Sequence, residues 1–397
     1  MNKLKFVKFK DLLSIFWLII AFIPAMIAKI FIRDFWLICE DKNEARDNGY
    51  WFFRYLKLNQ PKQKCAYAIN KKSVDYQKVK SLGKVIQYGS LSHWFWYLVA
   101  DKNISSQKGG KPNAAVCYLL EVTLKMRKNN RVFLQHGIIK DDMPWLYYKN
   151  TNMRLFVTST QHEYDFLTKT YDYPEGHIIL TGLCRYDNLN DFKVNKKQIL
   201  LMPTWRQWIA REVETKEIEG TNVFTETKYF KKWNEFLSSK KLNEILEKYN
   251  VELLFYPHRN MQKYLEHFKI DSKNIKVANW KEYDIQKVLK ESALMITDYS
   301  SVYFDFAYMK KPIIFYQFDE EDFRKNQYQE GYFDYHNNPL GDWSGTLNKT
   351  LELIEEYLKT NYKHKHLKEL ETYFKYSDNK NCERTYLAIK NLNKKKK

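Results

Sequence analysis

The chain has 397 residues, which is more than one hydrophobic core usually holds and predicts two domains of ordinary size. Lys and Arg number 66 against 47 Asp and Glu, and the formal charge of +19 suits a polyanionic partner, whether nucleic acid, an anionic lipid surface or a phosphate-rich substrate. Five scattered cysteines without a CxxC pair indicate neither a disulfide framework nor a zinc site and favour a reducing compartment, and no short basic-aromatic repeat supports a nucleic-acid partner.

The first predicted element is an apolar segment at residues 12–32, interrupted by Ser14, Pro24 and Lys29. It is too long for the core of a signal peptide, and no small-x-small cleavage site follows it. Since Pro24 breaks a helix and Lys29 is costly to bury, two short helices dipping into one leaflet are favoured. A single span, which conflicts with the unpaired cysteines, and a soluble core hairpin are the alternatives. The lysines placed to bind lipid phosphates are Lys3, Lys5, Lys8 and Lys10.

Strand-like apolar runs then alternate with amphipathic helical stretches, a pattern typical of α/β proteins with parallel sheets. The runs of the first half are 84–88, 115–120, 131–135, 155–158 and 178–181. Those of the second half are 199–202, 252–256, 275–277, 293–297 and 312–316. A polar break at residues 188–197 separates the two series. The pattern predicts two doubly wound Rossmann-like domains facing a cleft, with ligands at the carboxyl ends of the strands.

One junction in the second half carries polar side chains. Residues 293–297 predict a buried strand and residues 300–309 a helix, so Asp298-Tyr-Ser-Ser301 lies where a strand passes into a helix. Free backbone N–H groups, the helix dipole and hydroxyl donors favour a bound phosphate there. Ser301 and Asp305 are four residues apart and share a helix face. The alternative is an ordinary Ser or Asp cap that serves only the helix.

The longer stretch Ile296-Thr-Asp-Tyr-Ser-Ser-Val-Tyr-Phe-Asp-Phe-Ala307 resembles the signature of the CDP-glycerol glycerophosphotransferase family, the teichoic-acid and capsule-type polyol-phosphate transferases. Further blocks keep the order of that family. They are Arg46-Asp-Asn-Gly49, Arg131-Val-Phe-Leu-Gln-His-Gly137, Gly182-Leu-Cys-Arg-Tyr-Asp187, Thr204-Trp-Arg206, Tyr256-Pro-His-Arg259, Lys311-Pro-Ile-Ile-Phe-Tyr316 and Asp319-Glu-Glu321. The resemblance covers roughly residues 35–340 and implies a GT-B-like fold. The chain departs from the family at 138–142, where a Thr-Pro-Leu-Lys stretch is frequent, and at 338–341, where many members have Gly-Pro.

The polar break at residues 188–197, interpreted as an interdomain linker, and the resemblance together predict four parts of the chain. Residues 1–33 are the membrane-associating helical segment, and residues 34–190 are the acceptor-side Rossmann-like domain. Residues 191–375 are the Rossmann-like domain that binds a CDP-polyol, and residues 376–397 form a carboxyl-terminal helix with a basic tail.

The resemblance implies an enzyme, a phosphotransferase that moves glycerol-phosphate or a related polyol-phosphate from CDP-glycerol to an acceptor hydroxyl and releases CMP. The implied acceptor is a cell-wall or capsular polysaccharide or a lipid-linked molecule, and the implied place is the cytoplasmic face of the cell membrane, as a peripheral or monotopic protein. A GT-B glycosyltransferase using a nucleotide sugar and a non-catalytic adaptor that binds polyanions at the membrane are the alternatives. The choice of polyol and acceptor and the oligomeric state stay open.

Catalytic roles follow the same resemblance. His136 lies just beyond a strand and has the side chain of a general base, and Gly137 and Arg185 are expected on the acceptor side. His258 is the second expected catalytic residue, and with Arg259 it is expected to bind the pyrophosphate and offset charge on the leaving CMP.

The donor-binding set lies in the second half of the chain. Ser300 and Ser301 are expected to hold phosphate oxygens, and Asp298 and Asp305 to bind hydroxyls of the nucleoside or polyol or to orient a cationic neighbour. The other expected donor contacts are Thr204, Arg206 and Glu330. Arg206 has a packed cation–π pair with Trp205 as its alternative. No cofactor and no metal ligand set is predicted from residue spacing, and dependence on a divalent metal stays open.

Overall fold

The computed structural model describes residues 9–125, 130–210, 213 and 224–392. The chain divides into two compact units. Unit 1 comprises Met1–Ile138, Pro144–Asn188 and Lys375–Lys397, and unit 2 comprises Ile139–Met143 and Leu189–Phe374. Lys3, Lys5, Lys8 and the basic tail at 393–397 lie outside the described residues. The four-part division remains a prediction, and contacts group residues 139–143 with unit 2 and residues 375–397 with unit 1.

Unit 1 is built on a sheet of seven parallel strands in the order β3-β2-β1-β4-β5-β6-β7. The strands are β1 (Trp36–Cys39), β2 (Cys65–Ile69), β3 (Val85–Gln87), β4 (Lys102–Ser105), β5 (Arg131–Phe133), β6 (Leu155–Thr158) and β7 (Ile178–Leu180). The chain moves outwards from β1 to β3 and then returns to place β4 beside β1. The crevice at the carboxyl ends of β1 and β4 is therefore the topological switch point, where ligands bind in sheets of this kind.

Helices cover this sheet. They are α1 (Phe9–Phe31), α2 (Asn48–Asn59), α3 (Tyr76–Lys80), α4 (Leu91–Val99), α5 (Ala114–Tyr118), α6 (Tyr148–Thr151) and α7 (Gln161–Thr170), with 3₁₀ turns at Pro144–Leu146 and Cys184–Asn188 and a π-helical turn at Leu119–Thr123. The core joins small side chains of α1 to aromatic side chains of α4. Ala21 and Ala25 pack in one buried cluster with Trp94 and Tyr97.

Unit 2 repeats the plan with six parallel strands in the order β10-β9-β8-β11-β12-β13. They are β8 (Asn195–Met202), β9 (Glu252–Phe255), β10 (Ile275–Val277), β11 (Ser292–Thr297), β12 (Ile313–Tyr316) and β13 (Asp342–Ser344). The strand order reverses between β8 and β11, which is the switch point of this sheet. Two doubly wound parallel α/β domains, the predicted fold class, are thereby confirmed.

The helices of unit 2 are α8 (Lys228–Leu237), α9 (Lys240–Lys248), α10 (Ile285–Glu291), α11 (Tyr303–Tyr308), α12 (Glu320–Asn326), α13 (Leu347–Lys359) and α14 (Leu367–Tyr373), with 3₁₀ turns at Phe224–Glu226 and Arg259–His267. The last helix, α15 (Asn381–Asn391), packs in unit 1. There the Asp187 carboxylate accepts the backbone N–H groups of Asn381 and Cys382 at 2.9 Å each. These bonds satisfy donors at the start of the helix that have no intrahelical partner.

The prediction of two short amino-terminal helices is wrong, because α1 is one continuous helix with Pro24 inside it. Proline in a helix interior costs about 3 kcal/mol. Packing on unit 1 offsets that cost: Ala21 and Ala25 on either side of Pro24 are buried, and Trp94 donates an indole hydrogen bond to Ser14 at 3.0 Å. By length and composition alone, Lys10–Phe31 is apolar enough to cross a membrane.

One predicted strand, 115–120, is also wrong. Those residues lie in α5 and in the π-helical turn after it. The Asn113 side chain accepts the N–H of Val116 at 3.0 Å and so caps the helix start. A short apolar run does not by itself distinguish a strand from a buried helix, and the cap decides for the helix here.

Candidate active site

His136 follows β5 at the carboxyl edge of the sheet in unit 1. The residue before it, Gln135, has a φ of 67°, in the left-handed region that costs an ordinary residue roughly 1 kcal/mol or more. Gln135 is buried, and its amide donates to the Val157 carbonyl and to the Glu163 carboxylate, both at 2.7 Å. These bonds hold the turn, and the His136 side chain beyond it is 68% exposed.

An aspartate orients the exposed histidine. Asp47 Oδ2 lies 2.7 Å from His136 Nδ1, and the Arg185 guanidinium donates to Asp47 Oδ1 at 2.7 Å and to the His136 carbonyl at 2.6 Å. With the Nδ1 proton donated to the carboxylate, Nε2 carries the lone pair that can accept a proton. His136 is therefore an accessible imidazole with a fixed tautomer.

The carboxylate also sets the basicity of the ring. Desolvation by the surrounding protein lowers the pKa of His136, but the charge and hydrogen bond of Asp47 more than offset it, so the pKa lies above its ordinary value. Desolvation likewise raises the pKa of Asp47, and the charges of His136 and Arg185 outweigh it, so the net shift is downwards. The pair thus favours a charged aspartate beside a strengthened base.

Asp47 is placed by a second, buried carboxyl group. Glu40, just after β1, is 2% exposed and accepts the backbone N–H groups of Arg46, Asp47 and Tyr50. A Cβ on Gly49 would lie 2.8 Å from Glu40 Cγ, so this approach requires glycine. Burial, followed by the charge of Asp47, raises the pKa of Glu40 to about 8. Together these contacts fix the start of α2 beside the histidine.

The two residues predicted on the acceptor side of unit 1, Arg185 and Gly137, are both buried. Arg185 is 5% exposed and its guanidinium is engaged with Asp47 and the His136 carbonyl. These bonds position the Asp47–His136 pair, and contact of Arg185 with an acceptor stays a prediction. Gly137 directly follows His136 and is buried. Asp47 itself was not among the predicted site residues, although it lies in the block Arg46-Asp-Asn-Gly49.

In unit 2, the predicted residues after β8 and β11 meet at the switch point. Arg206 is 0% exposed, lies 2.8 Å from Asp298 Oδ2, and makes two bonds of 2.9 Å to the two oxygens of Asp319. This is the bidentate geometry that arginine and carboxylate favour. Arg206 and Asp298 therefore bind each other below the surface, and their direct contact with a donor stays a prediction. The cationic neighbour of Asp298 is Arg206, which agrees with the second of the two roles expected for Asp298.

Rings enclose this buried cation, but Trp205 is not the partner. The Arg206 guanidinium carbon lies 4.8 Å from the ring centre of Tyr299 and 5.1 Å from that of Tyr229. Trp205 stacks instead on Tyr264, with ring centres 6.0 Å apart. Cation–π contact is thus real here, with different aromatic partners from the predicted one.

Three predicted donor residues lie at the edge of this sheet, and the Oγ1 of one of them, Thr204, is buried. Ser300 and Ser301 are half-buried and lie in the turn before α11, which begins at Tyr303 and not at Ser300. Thr204 is half-buried, its N–H donates to Asp298 Oδ1 at 2.8 Å, and within the described residues its Oγ1 has no hydrogen-bond partner. Asp305 differs, since it is 2% exposed inside α11, and its contact with a donor stays a prediction.

His258 follows β9 and is exposed. Arg259 begins the 3₁₀ turn after it, and the Arg259 side chain lies outside what the structure describes. Because β8 lies between β9 and β11, the ends of β9 and β11 are about 10 Å apart across the edge. Glu330 is exposed and follows Gln329, which bridges to Asp142. In the parts of the chain that are described, no group of three or more His, Cys, Asp or Glu side chains is placed to hold a metal ion.

Comparison with known proteins gives a family match over nearly the whole chain. Residues 33–391 match the sequence model of the family described as CDP-Glycerol:Poly(glycerophosphate) glycerophosphotransferase. The minor teichoic acid biosynthesis protein GgaB of Bacillus subtilis (strain 168) is 32% identical over 376 residues, which are 91% of this chain and 40% of that protein. A teichoic acid poly(glycerol phosphate) polymerase of Bacillus spizizenii is 32% identical over 178 residues, 43% of this chain and 38% of that protein. The chain thus spans about two fifths of the length of these relatives.

Solved structures show the same architecture. The wall teichoic acid polymerase TagF superposes with a TM-score of 0.64 at 16% identity, covering 98% of each chain. A UDP-N-acetylglucosamine 2-epimerase from Listeria monocytogenes superposes with a TM-score of 0.55 at 14% identity, covering 92% of this chain and 98% of the other. At these identities the likeness shows the fold alone.

The buried charge cluster of unit 2 generates a prediction about stability. Arg206→Met removes the cation and leaves Asp298 and Asp319 buried without it, so we expect the free energy of unfolding to fall by about 3–5 kcal/mol. Urea denaturation of the full chain measures it. Lys232→Met is the control, because Lys232 and Glu235 form an exposed pair worth less than about 1 kcal/mol. Equal losses in the two variants would show that the Arg206 cluster does not stabilise the fold.

Proposed function

The chain belongs to the CDP-glycerol:poly(glycerophosphate) glycerophosphotransferase family, and from that premise we propose that it transfers glycerol-phosphate from CDP-glycerol, or a related polyol-phosphate from its CDP donor, to an acceptor hydroxyl. The observation that carries the proposal is the exposed His136 imidazole hydrogen-bonded through Nδ1 to Asp47. Transfer to a hydroxyl requires one proton to be removed, and this pair is built to accept it.

Each unit has a part in the proposed reaction. Unit 1 binds the acceptor, and His136 Nε2 takes the proton of its hydroxyl as that oxygen attacks the phosphorus bearing the polyol. The bond from that phosphorus to the bridging oxygen breaks, and CMP leaves with the electron pair. Catalysis of this kind depends chiefly on positioning and on offsetting charge.

The donor is assigned to unit 2. Ser300 and Ser301 are supported as contacts to phosphate oxygens by their half-buried side chains at the β8–β11 switch point. Thr204 stays a proposed contact, and its Oγ1 is buried beside them. His258 at the end of β9 is the proposed partner of the leaving phosphate, together with Arg259, and Glu330 is the proposed contact to a donor hydroxyl. The buried Arg206 cluster supports these residues from beneath.

The proposed acceptor is a cell-wall or capsular polymer or its lipid-linked precursor, and the proposed place is the cytoplasmic side of the membrane. GgaB and the polymerases to which the chain is similar are named for teichoic acid synthesis. The helix α1 supports membrane attachment, because its outer side leaves large apolar side chains exposed. They are Leu12, Leu13, Ile15, Phe16, Ile19, Ile20, Phe22, Ile23, Met26, Ile27, Ile30 and Phe31.

The opposite side of α1 supports attachment along one leaflet. Asp11 accepts the Asn113 amide at 2.8 Å and Ser14 accepts the Trp94 indole at 3.0 Å, so the polar side of the helix is bonded to unit 1. A helix held along the protein in this way can present its apolar side to lipid without crossing the bilayer.

The activity is tested by incubating the purified chain with labelled CDP-glycerol, CDP-ribitol and UDP-sugars and with candidate acceptors. We expect CMP release coupled to transfer of polyol-phosphate, and a fall of about 10²–10⁴-fold in turnover for His136→Ala with donor binding kept. His366→Ala, at an exposed histidine, is the control and should retain activity. UDP release with sugar transfer would identify a glycosyltransferase instead, and an active His136→Ala enzyme would remove His136 from the mechanism.

The role of Asp47 is tested by the pH dependence of kcat/KM. A base must be neutral to act, and Asp47 raises the pKa of His136. In Asp47→Asn we therefore expect the acidic limb of the profile to move to lower pH, while kcat falls by between about tenfold and 10⁴-fold as the tautomer is lost. Asp165→Asn, at an exposed aspartate of α7, should change neither. An unmoved acidic limb in Asp47→Asn would contradict the pairing.

Membrane attachment is tested by sedimentation with vesicles that contain anionic lipid. Ile19 and Ile23 are 66% and 68% exposed, and Leu58 on α2 is 58% exposed. The double variant Ile19→Glu with Ile23→Glu should lower the bound fraction, because it puts charge where apolar area would enter lipid. Leu58→Glu should bind like the unaltered chain. Equal binding of all three proteins would exclude α1 as the attachment site.

A further inference from the structure

A short loop beside His136 contains lysines and glycines to which the proposed reaction assigns no role. It runs from Ser105, the last residue of β4, to Lys111 and contains two lysines and two glycines. Since β4 borders β1 at the switch point of unit 1, the loop lies at the edge where ligands bind in such sheets. Its Gln107 amide nitrogen lies 2.9 Å from His136 Nδ1, so the loop touches the proposed base directly.

The loop is a closed and supported structure. Ser105 Oγ accepts the Gln107 N–H at 3.0 Å and donates to the Gln107 carbonyl at 2.8 Å. A Cβ on Gly110 would lie 2.0 Å from Ser105 Oγ, so the return of the chain requires glycine there. From beneath, the Arg131 guanidinium donates to the carbonyls of Gln107 and Lys108 at 2.6 Å each. A Cβ on Gly109, in contrast, would meet nothing within 4 Å.

Positive charge dominates around the loop. Lys111 is 7% exposed and pairs with Glu121 at 2.7 Å, while Arg131 is 2% exposed. Lys108 is half-buried and donates to the Trp145 carbonyl, which uses one of its three N–H groups. Among the described residues, the carboxylates near these three cations are Glu121, which pairs with Lys111, and Asp47, which pairs with His136 and Arg185. Burial, and then the charges of Lys111 and Arg131, lower the pKa of Lys108, as expected for a cation in excess positive charge.

A buried hydroxyl in the same loop has no protein partner. Ser106 is 0% exposed, and within the described residues its Oγ makes no hydrogen bond. Burying a hydroxyl without a hydrogen bond costs about 1–3 kcal/mol on protein scales. The loop therefore contains a buried donor that no described residue satisfies, and an anion at Lys108 and Gly109 would balance part of the positive charge.

We propose that the loop Ser105–Lys111 binds a phosphodiester of the acceptor and so places the acceptor's terminal hydroxyl at His136. The inference rests on the proposed function and adds to it the residues of unit 1 that hold a phosphate of the acceptor. In a glycerol-phosphate unit the terminal hydroxyl is separated from the phosphate by the three-carbon glycerol. Lys108 and the open backbone at Gly109 bind the phosphate oxygens, and Gln107 spans the distance to the base.

Steady-state kinetics with two acceptors test the proposal. One acceptor is a short glycerol-phosphate oligomer, and the other is a neutral glycosylglycerol without phosphate. The variants are Lys108→Gln, which removes a cation, and Gly109→Asp, which adds a carboxylate where there is space for a side chain. Lys62→Gln, at an exposed lysine of unit 1, is the control. Far-ultraviolet circular dichroism confirms that each variant is folded.

We expect both loop variants to raise KM for the glycerol-phosphate oligomer by about tenfold or more, with KM for CDP-glycerol and rates with the neutral acceptor unchanged. The effect should weaken at high salt, because it is electrostatic. A raised KM for CDP-glycerol would instead assign the loop to the donor, and an unchanged KM for both substrates would overturn the proposal. If the unaltered chain released no CMP from any CDP-polyol, the proposed function would fail first, which separates the two outcomes.

Discussion

Both units depend on one constraint, that every strand in a wholly parallel sheet ends at the same edge. In unit 1 this brings together residues that are far apart in the chain: Asp47 after β1, Gln107 after β4, His136 after β5 and Arg185 after β7. Reversal of the strand order opens a crevice at that edge in each sheet. Most residues of the central strands are buried, and the polar residues of the site lie beyond the strand ends at these edges.

The two edges use charge in opposite ways. At the edge of unit 1 the carboxylate of Asp47 supports a side chain that stays exposed, and the histidine gains basicity from it. At the edge of unit 2 the charged side chains of Arg206, Asp298 and Asp319 form ion pairs with each other below the surface. Such a cluster orders the loops after β8, β11 and β12. Hydroxyl groups and the exposed His258 are then left for contact with a ligand.

Sequence patterns predicted the parallel α/β fold and most strands of unit 2, because buried parallel strands are continuous apolar runs. They missed β1, β2 and β4 and misassigned residues 115–120, where one Asn113 hydrogen bond favours a helix. Residue type and position after a strand also predicted that the site residues lie at the carboxyl edges of the two sheets. Sequence patterns could not predict which of these side chains are buried, because burial depends on partners distant in the chain. Arg206 pairs with Asp319, 113 positions away, and Asp47 pairs with His136, 89 positions away.

The carboxyl-terminal helix α15 bears on how the chain folds as it is made. Asp187 binds the start of this helix, and Tyr386 within it packs on Trp36 of β1 with ring centres 5.6 Å apart. During translation all of residues 189–374 leave the ribosome before residues 381–391 do. Domains usually complete their folding in the order of synthesis. Here the later unit can finish first, while the earlier sheet has Phe52 but not yet Tyr386 packed on Trp36, so its core is completed only after unit 2 has been synthesised.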